Sequence, residues 1–408
     1  MIRQTYHIHT LPNGLRLVCE RRPRAAVEYF GVAVMAGSRD ERPDEFGIAH
    51  FVEHTIFKGT LKRKPWHILN RMESVGGELN AFTTKEETYI YSAYPKGNTA
   101  RAIELIADLI INSRFPAKQI SIERDVVADE IASYLDSPAD AIYDDFEDLI
   151  FKNSGLGHNI LGSEETLKTF TPEKCVAFMH RNYVAGNMVA FYSGPASPES
   201  ILKLVEKWTG HIPEGNIDHR TSSIYPSDIK FNEVRDIASH QSHTLLGAIV
   251  PGIYSDDTPV AALLTNILGG PGMNSLFNLS LRERNGLVYS VEATTTLYRD
   301  CGLWSVYFGC DNSDVEKCMS LIREIIDRLA TDALTDRRLN QYKRQLSGQM
   351  AMSRDNRESC IMSAARSTLY HGTVLTPEKN ISRIRAVTPS ALRDYAGHLH
   401  DLSRLTFN

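Results

Sequence analysis

Residues 48–57 read IAHFVEHTIF, and this stretch has the spacing of a helix with one polar face. Each helical residue turns by about 100°, so His50, Glu53 and His54 fall on the same face. The other faces carry apolar residues, which predicts that the helix is largely buried. Because a buried polar group without a partner costs a few kcal/mol, the two imidazoles and the carboxylate require a partner.

A zinc ion would be such a partner. Two neutral imidazoles four residues apart reach one tetrahedral ion, and Glu53 between them lies near the metal as a base. The pattern then predicts an open, catalytic site. In the alternative, His50 and His54 are hydrogen-bonded core histidines and Glu53 is a surface carboxylate, since short patterns of this kind also arise by chance.

A third ligand has to come from elsewhere, and a predicted helix over 121–135 offers two carboxylates. Glu123 and Glu130 are seven residues apart and share its apolar face, so both are predicted to be buried. They are separated by about 10 Å along the helix, so one would ligate and the other would hold a histidine nitrogen. Position alone does not decide between them. Alternatively, these glutamates reach water or meet Arg101 or Arg124.

The pattern around these helices predicts an α+β fold. Alternating segments predict strands over 7–21, around the turn 12–14, and over 26–38. A helix capped by Asp44 follows. Further predictions are a helix over 66–75, a strand over 78–94, and amphipathic helices over 99–113 and 116–151. Strands and helices are segregated into layers.

The same order of elements recurs in the second half of the chain, and residues 119–136 align with 338–355 at constant offset. We therefore predict two similar domains, each an antiparallel sheet with helices packed on one face, related by degenerate internal duplication. Residues 1–211 form the metal-bearing catalytic domain. Residues 212–228, which are polar and contain proline, form the linker. Residues 229–408 form a domain of the same fold without a metal site.

The composition excludes several classes of protein. The length of 408 residues predicts two domains of about 200 residues, and the 42% hydrophobic content is typical of globular chains. The net charge is −5 and the basic residues are scattered, so no nucleic-acid partner is expected. No signal peptide or long apolar run is present, which predicts a soluble, cytoplasmic protein without membrane contact. The six cysteines form no CxxC pair and are expected to be reduced core residues.

Several separated motifs occur together in this chain. They are Gly37-Ser38-Arg39-Asp40-Glu41, His50-Phe51-Val52-Glu53-His54 with Phe57-Lys58-Gly59-Thr60, residues 76–84 (GGELNAFTT), the segment from Glu123 to Glu130, Leu268-Gly269-Gly270, and residues 282–291 (RERNGLVYSV). In residues and in spacing the chain resembles the pitrilysin/insulinase family of zinc metallopeptidases, especially its short dimeric bacterial branch and the β subunit of mitochondrial processing peptidase. The resemblance spans nearly the whole chain.

The resemblance implies a role for each residue of the metal site. His50, His54 and Glu130 are the ligands of Zn²⁺ in this interpretation. Glu53 is the base that takes a proton from water and returns it to the leaving amine. Glu123 orients a ligating histidine from behind.

The resemblance also implies where a peptide substrate binds. The strand segment Asn80, Ala81, Phe82 and Thr83 would offer its edge to an extended peptide, although a plain edge strand of the core is the alternative. Arg282 and Tyr289 would anchor the substrate and stabilise its carbonyl group. Without the resemblance, these two residues would be interpreted as surface and core, respectively.

The resemblance implies an endopeptidase that cuts short, unstructured peptides inside a clamshell chamber formed by a dimer. In longer relatives the arginine and tyrosine come from the opposite half of the molecule, so a half-length chain would pair two copies. A homodimer is expected, or a heterodimer with a related subunit. The alternative is a noncatalytic peptide-binding or structural partner subunit of a heterodimeric processing peptidase. The Gly269 to Met273 loop departs from the pattern of the catalytic chains, and its role stays open.

Overall fold

The structure is a computed structural model that describes residues 5–215, 230–237 and 240–408. It separates into two compact units, each assembled from discontinuous parts of the sequence. The first unit comprises 1–132, 158–221 and 354–376, and the second comprises 133–157, 222–353 and 377–408, as far as these residues are described. Residues 216–228 of the predicted linker lie outside the described residues. Ile212, at its start, is buried in the core of the first unit.

The described chain contains eleven strands and fourteen α-helices. In the first half they are β1 (Tyr6–Thr10), β2 (Arg16–Arg21), β3 (Val27–Val34), α1 (Ile48–Thr55), α2 (Pro65–Glu73), β4 (Glu78–Thr83), β5 (Thr88–Pro95), α3 (Thr99–Asn112), α4 (Ala117–Leu135), α5 (Pro138–Ile150), α6 (Glu164–Leu167), α7 (Pro172–Asn182), β6 (Met188–Gly194) and α8 (Pro198–Thr209). In the second half they are β7 (Asn232–Arg235), β8 (Ser242–Pro251), α9 (Thr258–Gly269), β9 (Val288–Leu297), β10 (Cys301–Cys310), α10 (Val315–Thr331), α11 (Asp336–Met352), α12 (Arg357–His371), α13 (Pro377–Ala386), α14 (Pro389–Ala396) and β11 (Ser403–Phe407).

The first unit is built on a six-stranded sheet with the order β1-β2-β6-β3-β5-β4. All its pairs are antiparallel except β2 with β6. Alternate residues of the central strands, such as Val32 and its cross-strand partner Ile90, are buried in one core with the apolar sides of α1, α3 and α8. Strand β4 pairs only with β5 among the described strands, so it forms one edge of the sheet.

The opposite face of the same sheet is covered by α12, which comes from the second half of the sequence. Glu87 and Tyr89 alternate with the core residue Ile90, so they point to this other face. Tyr370 of α12 donates a hydrogen bond to Glu87 Oε1 at 2.6 Å, and Arg366 donates to the same oxygen at 2.6 Å. The prediction of helices on one face is therefore incomplete, because a helix that begins more than 160 residues after the last strand of this sheet covers part of the second face.

The second unit repeats this plan. Its sheet has the order β7-β11-β8-β10-β9 and is antiparallel except for β7 with β11. Helix α5, from the first half of the sequence, packs on β8 and β11 through Ile142 and Phe146. Helix α11 begins at the residue that the constant offset assigns to the start of α4, and α12 stands at the same offset from α5. The predicted α+β fold with two similar halves is confirmed.

Three local predictions need correction. The stretch 78–94, predicted as one strand, is the antiparallel pair β4 and β5. Asp44 does not cap α1, because Gly47 occupies the N-cap position and the carboxylate there comes from Glu41. The stretch 116–151 is two helices, since the helix is interrupted at Asp136 and Ser137 and α5 begins with Pro138 at its first position. Proline suits that position because its missing N–H has no helical partner to lose.

No helix in the described part of the chain combines the length and the apolar character needed to cross a membrane.

Candidate metal centre

The helix α1 is held at its N-terminus by a buried carboxylate. Glu41 accepts hydrogen bonds from the backbone N–H of Gly47 at 2.8 Å and of Ala49 at 2.7 Å. These N–H groups have no partner within the helix, so the carboxylate completes its first turn. Gly47 has φ of 96°, and a Cβ there would lie 2.6 Å from the carbonyl oxygen of Leu161. This sharp entry places His50 directly after the capped turn.

His158 in turn fixes Glu41. Its Nε2 lies 2.9 Å from Glu41 Oε2, and its ring stacks on Phe46 at 3.8 Å. The ammonium group of Lys85 donates to the carbonyl oxygen of His158. Burial raises the pKa of Glu41 well above its usual range, although the two backbone amides oppose this. Burial, with the Lys85 charge, lowers the pKa of His158 to about 4.

Three side chains converge beside this helix. Glu130 of α4 places one carboxylate oxygen 3.5 Å from His54 Nε2 and the other 3.8 Å from His50 Nε2. One donor atom from each of the three residues lies within 4.8 Å of the others. The two imidazole rings are 4.5 Å apart, tilted by 59°. Helices α1 and α4 thus bring together the two histidines and the glutamate that the sequence predicts.

Glu123 lies on the other side of the His54 ring. Its Oε1 is 3.1 Å from His54 Nδ1, and its Oε2 is 2.8 Å from the ammonium group of Lys58. Because a carboxylate only accepts hydrogen bonds, Nδ1 carries the proton when the ring is neutral, and Nε2 then presents its lone pair. That lone pair faces the Glu130 carboxylate. Two acceptors 3.5 Å apart repel each other unless a cation lies between them.

The donor set suits zinc. Burial, together with the His54 ring, lowers the pKa of His50 to about 3, so this ring is the neutral imidazole that a metal requires. Zinc bonds of about 2.1 Å give tetrahedral ligand separations of about 3.4 Å, close to the 3.5 and 3.8 Å between the Glu130 carboxylate oxygens and the two histidine nitrogens. The Glu130 side chain is 43% exposed, which corrects the predicted burial of both glutamates. Only Glu123 is buried. The centre is therefore open to water beside Glu130.

Glu53 lies next to this centre. In the described structure, its carboxylate is not one of the three groups placed to bind a metal ion. Burial raises the pKa of its carboxyl group, while Thr83 and the nearby His54 ring lower it. Thr83 is the last residue of β4, so the carboxyl group lies where the helix α1 meets the edge strand. The sequence-predicted segment Asn80, Ala81, Phe82 and Thr83 lies entirely within β4.

The two remaining predicted site residues belong to the second unit. Arg282 is exposed in a π-helical segment, Asn278–Arg284, and Tyr289 is 72% exposed at the start of β9. Interpreting Tyr289 as a core residue from its sequence context alone is therefore wrong. In the Gly269 to Met273 loop, which follows α9, Met273 is 68% exposed. The sequence does not predict the roles of His158 and Lys85 or the capping role of Glu41. The only local signal for Glu41 is a short motif without periodicity.

Fold and site together define a class of duplicated α+β proteins in which one copy of the fold carries a His-His-Glu cluster beside a further carboxylate. Residues 16–164 match the sequence model described as insulinase (peptidase family M16), and residues 169–346 match the model described as peptidase M16 inactive domain. The chain belongs to the insulinase family, peptidase family M16. The described metal cluster lies wholly in the part that matches the first model.

Related proteins match over nearly the full length. The "uncharacterized zinc protease YmxG" of Bacillus subtilis is 30% identical over 96% of this chain and 95% of its own length. The "uncharacterized zinc protease Rv2782c" of Mycobacterium tuberculosis is 32% identical over 96% and 90%, respectively. A protease from Helicobacter pylori has the same fold, with a TM-score of 0.91, 19% identity and coverage of 99% of both chains.

Proposed function

We propose that this protein is a zinc-dependent endopeptidase that hydrolyses short, unstructured peptides. One observation carries the proposal: the donor atoms of His50, His54 and Glu130 lie within 4.8 Å of one another, with the Glu53 carboxyl group next to them. The relatives named zinc proteases support the same assignment. In this proposal His50, His54 and Glu130 hold the zinc ion, and Glu123 holds the His54 ring in the tautomer that can ligate.

Zinc in such a site supplies Lewis-acid polarisation of water and of a peptide carbonyl group. The chain supplies the proton transfers. Glu53 accepts a proton from the attacking water and donates it to the amine that leaves.

The peptide is proposed to bind along β4. Among the described strands, β4 pairs only on its β5 side, so the backbone N–H and C=O groups of its other side are free to pair with an added strand. Backbone pairing binds extended peptides with little demand on their sequence. Since Thr83 of this strand is beside Glu53, a peptide added here runs past the proposed base.

Arg282 and Tyr289 are proposed to complete the site by anchoring the substrate and stabilising its carbonyl group. Their exposure fits such a role, since a tyrosine at the start of a strand that is 72% exposed makes little contribution to a core. We propose that two copies of the chain pair to form a closed chamber, each copy lending these residues to its partner.

The proposal is tested by metal analysis of the purified protein beside cleavage of an unstructured reporter peptide. We expect about one zinc per chain and cleavage that a chelator abolishes and zinc restores. Glu53→Gln keeps the shape of the side chain and all three ligands. It should therefore retain zinc and lose at least about a hundredfold in kcat. Zinc binding that Glu53→Gln abolishes would contradict the assigned role of Glu53.

A noncatalytic partner subunit is the second candidate, because the second half matches a model described as an inactive domain. The metal cluster lies outside that half, which favours the catalytic assignment. Zinc in the purified protein without chelator-sensitive cleavage of any reporter would favour the partner role. Cleavage that appears only after a related chain is added would favour a heterodimeric peptidase.

A further inference from the structure

The second unit contains a cationic pocket on the exposed side of α11, apart from the residues discussed above. Its volume is about 840 Å³, and no carboxylate lines it among the described residues. The lining side chains that matter here are Arg337, Asn340, Lys343, Arg344 and Ser347 of α11 and Arg385 of α13. A chain with a net charge of −5 has concentrated four positive charges here. Such a concentration attracts an anion.

These cations are not used by the fold. Within the described residues, Arg337, Arg344 and Arg385 make no ion pair or side-chain hydrogen bond. Lys343 donates to the carbonyl oxygen of Arg385 at 2.8 Å, which ties α13 to α11. The Asp336 carboxylate, at the start of α11, also interacts electrostatically with the Lys343 ammonium group. Three guanidinium groups are left with all their donors available.

The geometry of the pocket favours an extended ligand with several anionic groups. Positions 337, 340, 344 and 347 are spaced by three or four residues and share one helix face. Arg337 and Arg344 are separated by about 10 Å along the axis. Compact phosphate sites use converging backbone N–H groups at a helix N-terminus or a glycine-rich loop. Here the lining residues from Asn340 to Gly348 lie along the body of a helix, where backbone N–H groups are already bonded, and only Arg337 is in the first turn of α11. Most of the available donors are therefore side chains.

We infer that this pocket binds an acidic segment of an extended peptide. In the extended polyproline II conformation, which has three residues per turn and a rise of about 3.1 Å, carboxylates three residues apart share one side of the chain and are separated by about 9 Å, close to the spacing of the two arginines. Guanidinium groups bind carboxylates through two parallel N–H donors, and the exposed Asn340, between the two arginines, offers neutral hydrogen bonds. A substrate role for the bound peptide rests on the proposed peptidase function, whereas binding of the peptide in this pocket does not.

The binding test uses a fluorescent octapeptide of glutamate and a matched octapeptide of glutamine. Every protein carries Glu53→Gln so that no cleavage interferes. Fluorescence anisotropy should show binding of the glutamate peptide that weakens with added salt, and no comparable binding of the glutamine peptide. The double change R337Q and R344Q should weaken binding by about tenfold. Arg323→Gln, which removes an exposed arginine of α10 outside the pocket, should leave it unaltered.

Equal binding of the glutamate peptide by the double variant and the parent would overturn the inference. Inorganic tripolyphosphate that binds through the two arginines, with no binding of the glutamate peptide, would show a phosphate site and overturn the peptide assignment. In chains with Glu53 intact, a glutamate-rich reporter should have a KM that rises about tenfold in the double variant. If no chain cleaves any reporter, the proposed function fails and the anisotropy result still decides on the pocket.

Discussion

Glu123 shows how one buried residue can control a metal ligand without touching the metal. Its carboxylate is shared between His54 Nδ1 at 3.1 Å and the Lys58 ammonium group at 2.8 Å. The first contact fixes the ring tautomer, and the second holds the carboxylate in place. The Glu123 carboxylate therefore lies at Nδ1 of the His54 ring, whereas Glu130 lies at Nε2.

We predict that Glu123→Gln weakens zinc affinity by about tenfold to a hundredfold, because the amide can present its N–H₂ group to the ring and loses the attraction of Lys58. The affinity is measured by competition with a zinc chelator of known affinity. Asp125→Asn, an exposed change on the same helix, is the matched control and should have no effect. An unchanged affinity in Glu123→Gln would show that the ring needs no such support.

At this scale the sequence predicts which residues meet, but not which atoms face each other. The spacing of His50 and His54 and the seven-residue step between Glu123 and Glu130 place four side chains on two helix faces. The choice between the two glutamates depends on how far α4 slides along α1, and that distance has no signal in either helix alone. The exposure of Glu130 depends on the same placement.

The helix α1 depends on a polar cap that comes from outside it. Glu41 bonds to two N–H groups of its first turn, and His158 bonds to Glu41. His158 has its pKa lowered to about 4 by burial and by Lys85, so the folded protein prefers its neutral form. The unfolded chain has the ordinary value of about 6.5. The stabilisation is therefore complete above pH 6.5 and is lost as the pH falls through 4.

We predict that the free energy of unfolding falls more steeply between pH 6.5 and 4 in the parent protein than in His158→Gln, by up to about 3 kcal/mol. Glutamine has no titrating group, so it removes this pH dependence while still offering an amide donor to Glu41. Urea unfolding at several pH values measures the difference. His67→Gln, an exposed histidine of α2, should behave like the parent protein. Parallel pH profiles for parent and His158→Gln would refute the shift.

At the scale of elements, the order of strands and helices follows from periodicity, whereas their partners do not. The alternation in β3, β5 and β8 predicts the sheets, and the constant offset predicts that α4 and α11 are equivalent. The sequence cannot predict that α5 packs in the second unit and α12 in the first. Each helix has the same amphipathic pattern whichever sheet it packs on. Asp44 failed as a cap for a related reason: the carboxylate of Glu41, which lies earlier in the chain and farther from the helix in sequence, satisfies these N–H groups.

For the whole molecule, duplication explains why one unit carries the chemistry and the other does not. At the offset that relates α4 to α11, the positions of Glu123 and Glu130 are occupied by Tyr342 and Gln349. Gln349 accepts a hydrogen bond from Asn266 of α9 at 2.8 Å, so a neutral, hydrogen-bonded amide stands at the position of Glu130. The second copy of the fold is thus available for other tasks, and Arg282 and Tyr289 are its proposed contributions.

The proposed pairing of two copies leads to a prediction about mixed chains. His50→Ala removes a ligand in the first unit, and Tyr289→Phe removes a hydroxyl group in the second, so each variant alone should be nearly inactive. If each site takes its metal from one copy and its tyrosine from the other, a mixed dimer regains one intact site. Random exchange of equal amounts should restore about a quarter of parental activity, measured with the reporter peptide after co-refolding. Activity no greater than the sum of the two separate variants would mean that each chain builds its site alone.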